Sequence, residues 1–206
     1  MKLFYVLALL ISTVCASPIA EPPEARWTTK YTGRIQIVPT NGHPLGFVYN
    51  FTNDVNGVSP NRASDVHVTF NYTHGTPFTM VATNFLKPEP YFQYLGASTG
   101  HEGTLIPKSA DHNELGFHRQ PAITPPYSTP AEWAMGRKYE TSIWTLDGQS
   151  KKLTAQWVNP DHSKPTTHIV YDKKLNEVLF VGDLATYNRG TPGHHAIEVG
   201  LYFVSD

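Results

Sequence analysis

Residues 143–181 limit what this chain can fold into more than any other part of it. Ile143-Trp144-Thr145-Leu146 runs into Asp147-Gly148, a strong turn signal, and the chain returns as Leu153-Thr154-Ala155-Gln156-Trp157-Val158. On the return, Leu153, Ala155 and Trp157 alternate with Thr154 and Gln156, the period of a strand with one apolar and one wet face. An Asn159-Pro160 breaker follows. His168-Ile169-Val170-Tyr171-Asp172 and Val178-Leu179-Phe180-Val181 then form a second pair across a short Lys-Lys-Leu-Asn loop. The run 178–181 reads as buried on both sides, and Trp144 and Trp157 as core. A sheet with a buried face must pack against another layer, and the earlier part of the chain supplies it.

From Gly33 onward, Ile35 and Ile37 alternate with Arg34 and Gln36, and Asn41-Gly42 turns the chain into Phe47-Val48-Tyr49-Asn50-Phe51. Val66, Val68, Phe70 and Tyr72 alternate with His67, Thr69 and Asn71. Residues 78–82 and 91–95 are further strand candidates. Ile197, Val199, Leu201 and Phe203 alternate with Glu198, Gly200 and Tyr202 in a last one. With Gly at 15 and Pro at 17 residues, and only 16% of residues charged, the composition favours short strands and many turns. The expected fold is all-β, an antiparallel sandwich or, alternatively, a closed barrel. One long irregular loop is expected around residues 96–137, with a single helical turn at 131–135, and residues 187–195 read as another loop. Asp183, after Gly182, reads as a turn cap.

The first 16 residues read as a secretory signal peptide: Lys2, an apolar run from Leu3 to Val14, then small residues before Ser17. Residues 17–32 form a Pro-rich leader and 33–206 a single domain. Cleavage would remove Cys15, the one cysteine, so stability must come from apolar burial and no thiolate nucleophile remains. The formal net charge is −1, and no basic stripe is present to follow a phosphate backbone, so nucleic acid is not an expected partner. Two sequons, Asn50-Phe51-Thr52 and Asn71-Tyr72-Thr73, place both asparagines on the wet face of their strands. The expected product is a secreted, extracellular glycoprotein with no membrane span after cleavage.

Gly33-Arg34-Ile35-Gln36-Ile37 with its Leu45-Gly46-Phe47-Val48 return resembles the opening of a group of small secreted proteins of mushroom-forming fungi. Ser142-Ile143-Trp144-Thr145-Leu146, Gln156-Trp157-Val158-Asn159 and Val181-Gly182-Asp183 are similar to that group's second half. No activity is assigned to the group. The resemblance implies an extracellular fungal glycoprotein and brings no catalytic residue with it.

Catalytic patterns are missing from the sequence. There is no G-x-S-x-G elbow, no phosphate-cradling glycine loop and no histidine spacing of a metal site, so no cofactor or metal is expected. His101, His112 and His118 lie in the long loop beside Glu102, Asp111 and Glu114, and all three read as solvated; His194-His195 read likewise. Glycoside hydrolysis would need two carboxyl groups across a sugar ring, for which Glu102, Asp111, Glu114 and Glu132 are the loop candidates. The favoured reading is an extracellular binding or interaction protein with a glycan or protein partner. Trp133, Tyr127, Tyr91 and Tyr94 are its expected stacking surface for a sugar. A polysaccharide hydrolase using the loop carboxylates is the alternative.

Overall fold

Gly33 is where the first strand changes neighbours. The computed structural model describes residues 27–49, 57–84, 94–99, 104–118, 124–132 and 137–206. In it β1 (Thr28–Pro39) pairs through residues 28–34 with β3 (His67–Thr73) and through residues 33–39 with β13 (Ile197–Ser205). A Cβ at position 33 would collide with the Val204 carbonyl and the Phe203 ring, so only glycine lets the strands cross this closely. Because β1 holds both the third strand and the last, the sheet shuts on itself. The strand begins at Thr28, five residues before the alternation makes it legible.

The remaining wall strands are β4 (Met80–Ala82), β5 (Tyr94–Thr99), β6 (His112–His118), β11 (His168–Asp172) and β12 (Glu177–Val181). The ring runs β1-β3-β4-β5-β6-β12-β11-β13 and back to β1, and every pairing in it is antiparallel. The fold is therefore a closed eight-stranded barrel, not two stacked sheets. Period-two alternation alone does not separate the two, because each gives every strand one inner and one outer face.

Among the described residues, five more strands extend the ring. β2 (Gly46–Phe47) flanks β1, and β10 (Lys152–Ala155) flanks β13 and carries β9 (Trp144–Leu146). β8 (Lys138–Glu140) pairs with β5 and with β7 (Ala131–Glu132). The expected loop around 96–137 thus contains an integral wall strand, β6, besides most of β5 and β7. Its period was hidden because both faces of β6 are covered: Asn113, Leu115 and Phe117 alternate with Gly116 and His118, all of them buried. The backbone of 131–132 is extended, not helical.

The barrel is filled by side chains, as eight strands permit. Phe70 and Phe78 stack at 4.4 Å, and Phe203 meets Phe70 edge-on at 5.1 Å. The 144–155 hairpin and the segment just after it fold Trp144 and Trp157 into the same core, where both are fully buried, and Trp144 Nε1 donates to the Leu95 carbonyl at 2.8 Å. Ile169, Tyr171, Val178 and Phe180 face inward, while Val170, Leu179 and Val181 face a second, outer core. That outer core explains the unbroken apolar run 178–181. It is covered by α1 (Leu184–Gly190), which carries the buried Tyr187. Residues 184–190 are thus helical where a loop is expected from 187 onward. Asp183 is the helix N-cap, accepting from the Thr186 N–H at 2.9 Å. Among the described residues no helix is long and apolar enough to cross a membrane.

Candidate ligand-binding site

Among the described residues the interior is filled by side chains, and two clefts lie on the outer face of the barrel. Leu201 and Phe203 on β13, and Ile35 and Ile37 on β1, point into the core. Their neighbours Glu198, Gly200, Tyr202, Arg34, Gln36 and Val38 therefore form the outer surface. The register sets Gln36 opposite Tyr202 and Val38 opposite Gly200, and on the far side Lys152 opposite Tyr202.

At this junction lies an open cleft of about 340 Å³. Its floor is the Tyr202 ring, which leans over Gly200: a Cβ at 200 would stand 2.7 Å from the ring's Cε2. Lys152 forms one wall, and Thr40 with the Pro39–Gly42 turn forms the other. The Thr40 N–H and Oγ1 both donate to the Glu198 carbonyl at 3.3 Å, fixing that turn to β13. The Glu198 carboxylate lies 3.1 Å from His168 Nδ1. An aromatic face, an ammonium, a carboxylate and a hydroxyl thus border one cleft. Among the described residues that line it, Glu198 alone is acidic, and these residues hold no facing carboxylate pair of the kind that glycoside cleavage uses.

The residues expected to bind ligand are dispersed. Tyr127 is 49% exposed and takes Lys164 Nζ over its ring at 4.1 Å. Tyr94 is a correction: it sits in β5, opposite His118, at 6% exposure, and so has no open ring face for a sugar. Tyr91 and Trp133 lie outside the described residues, as do Asn50, His101 and Glu102. Asn71 is exposed on β3. Among the loop carboxylates, Asp111 accepts from Ser109 Oγ, and Glu114 is held by Arg137 at 2.9 Å. Glu132 is described only by its place in β7.

Two of the histidines read as solvated are structural. His118 is 1% exposed and stacks on Tyr139 at 5.3 Å; burial, helped by the Arg137 charge, lowers its pKa to about 3, so the ring is neutral. His194 Nδ1 lies 2.7 Å from Asp172 Oδ2, which also accepts from the Tyr187 hydroxyl at 3.0 Å. Burial works to raise the Asp172 pKa, but hydrogen bonds from His194, Tyr187 and the Leu175 and Lys174 N–H groups outweigh it and hold it low. Burial and the bond to Asp172 push the Tyr187 phenol upward. This cluster fastens α1 and the start of β13 to the turn between β11 and β12. A third buried group, Glu140, has both carboxyl oxygens facing the Val158 N–H, at 3.0 and 3.3 Å. Burial raises its pKa to about 9 against that bond, so it is protonated at neutral pH. Among the described residues no three His, Cys, Asp or Glu side chains are grouped to hold a metal ion.

Sequence reasoning placed Glu198, Gly200 and Tyr202 on one strand face but did not single them out. The available signal was an outward aromatic two residues from an outward glycine. The walls of the cleft come from β1 and β10, and no local pattern announces that closure.

The molecule belongs, by its architecture, to the closed antiparallel β-barrels. Compared with family models, curated proteins and solved structures, the chain has no match.

Proposed function

We propose that this barrel is a secreted glycoprotein that binds an extracellular carbohydrate on the outer face of β13, with Tyr202 as the stacking platform. The observation that carries the reading is the Tyr202 ring, laid open over Gly200 and bordered by Lys152, Glu198 and Thr40. A pyranose has an apolar face and a hydroxyl rim; the ring suits the first, and the charged and hydroxyl groups suit the second. Binding without turnover fits a cleft whose described lining holds a single carboxylate. The signal-like first 16 residues and the resemblance to small secreted fungal proteins support the extracellular setting. The exposed sequon residue Asn71 supports glycosylation.

Glycan-array screening of the secreted protein, followed by calorimetry on the hits, tests the proposal. Tyr202→Ala is expected to lose at least about tenfold in affinity, the scale of an aromatic contact and its burial. Affinity unchanged by Tyr202→Ala, or no glycan bound by the folded protein, would refute it.

A further inference from the structure

A second cleft, of about 280 Å³, opens on the same outer face across β1. Phe47 on β2 is opposite Gln36, and Gln36 is opposite Tyr202, so the two aromatic side chains flank one glutamine on three adjacent strands. Strand spacing sets their Cα atoms about 10 Å apart. Arg34 is laid over the Phe47 ring, with its guanidinium carbon 4.4 Å from the centroid. Behind it stand Asp65, which accepts from Nη1 at 2.9 Å, and Asp206, 3.9 Å from Nε. Arg34 is thus fixed and largely neutralised. At the mouth of this cleft is Arg62, exposed, whose side chain makes no hydrogen bond or ion pair among the described residues. The described lining carries two guanidinium groups against one carboxylate, Asp65.

We infer that the ligand is an acidic oligosaccharide. One uronate carboxylate is taken by Arg62, and the sugar bearing it lies against the Arg34 guanidinium stacked on Phe47. The next rings cross Gln36 to reach Tyr202. Arg62 supplies the uncompensated charge, and its planar fork suits a carboxylate. The described lining of the far cleft carries one charge of each sign, Lys152 and Glu198, so the net positive charge lies at the Arg62 end. The inference rests on the carbohydrate reading above and adds to it the class of sugar and the direction in which the ligand lies.

The test uses the full secreted protein and three probes in calorimetry: oligogalacturonate, its methyl ester, and a neutral gluco-oligosaccharide of equal length. Wild type is expected to prefer oligogalacturonate about tenfold or more over its ester, with affinity falling as salt rises. Arg62→Ala, an exposed change, is expected to keep the melting temperature and bring the acid down to the level of the ester. Equal binding of acid and ester, or an Arg62→Ala protein that keeps the preference, would overturn the inference while leaving the carbohydrate reading standing. Binding of the neutral sugar alone would do the same. Binding of none of the three with no hit on the array would sink both readings.

Discussion

Tyr202 occupies the space that a side chain at Gly200 would fill, with its Cε2, Cζ and hydroxyl all standing within 3.3 Å of where that Cβ would be. The neighbour that must yield is the far end of a side chain, not backbone. Gly200→Ala is therefore expected to swing the Tyr202 ring off the cleft floor without disturbing β13. Glycan affinity should fall about as far as in Tyr202→Ala, while unfolding free energy changes by less than about 1 kcal/mol. Calorimetric titration alongside urea unfolding checks both halves. A Gly200→Ala protein that binds normally would show that the ring's position is irrelevant to recognition.

Glu140 sets a stability slope of unusual sign. Its folded pKa is raised to about 9, whereas an unfolded glutamate titrates near 4.3, so between those values the folded state holds the extra proton. Stability from this site is full below the unfolded value and is lost as pH climbs toward the folded one. His118 does the reverse: its folded pKa of about 3 lies below the unfolded 6.5, so stability is full above 6.5 and is lost as pH falls. The two slopes oppose each other between about pH 4.3 and 6.5. Glu140→Gln keeps an acceptor for the Val158 N–H and removes one of them. It should be on the order of 3 kcal/mol more stable than wild type at pH 7, and should expose a steady decline below pH 6.5. Urea midpoints measured from pH 4 to 8 decide this; parallel curves for the two proteins would contradict it.

Asp172 is fully buried and accepts from four donors, the His194 ring, the Tyr187 hydroxyl and the Lys174 and Leu175 N–H groups. Its lowered pKa places its stability contribution above the usual carboxylate range, lost as pH falls through the folded value. Asp172→Ala leaves those donors without their acceptor and should cost about 3 kcal/mol. His194→Ala removes one donor from a carboxylate that keeps three, and should cost about 1 kcal/mol. Denaturant midpoints with unchanged slopes would show both. Equal losses would mean that the imidazole alone carries the cluster.

The strands legible by alternation are those with one wet side, and β12 was legible instead as an unbroken apolar run. β3 and β13 alternate cleanly because Asn71 or Glu198 meets water while Phe70 or Val199 meets the core. β6 was not legible, because its outer side is covered as well, and there burial admits Gly116 and His118 as readily as aliphatic residues. α1 was missed because seven residues show barely two turns of period, although Asp183 with Thr186 three positions on is a capping pair. Barrel closure depends on β1 meeting β13 from opposite ends of the chain, which no local pattern reports. The cleft at Tyr202 was hidden for the same reason. Its floor is visible along one strand, but its walls come from Thr40 and Lys152, far from it in sequence.

Asn159 shows how much a residue read only as a breaker can carry. It is 1% exposed, accepts from the Leu105 N–H and donates to the Leu105 carbonyl, each at 2.9 Å, and donates to Ser163 Oγ at the same distance. One side chain thus satisfies both backbone groups of a buried leucine from a segment that belongs to no strand. Asn159→Ala would orphan both groups and should cost about 3 kcal/mol. Asn159→Asp would keep the acceptor but lose the donor to Leu105 O and place a carboxylate in a buried site, and should cost at least as much. Hydrogen exchange separates this local role from a general loss of packing. The Leu105 amide should lose protection in Asn159→Ala well beyond the fall in global stability, while amides of β1 and β13 fall only with it. If protection drops uniformly across the barrel, Asn159 does not anchor residues 104–110, and the energy lies in packing around Trp157 instead.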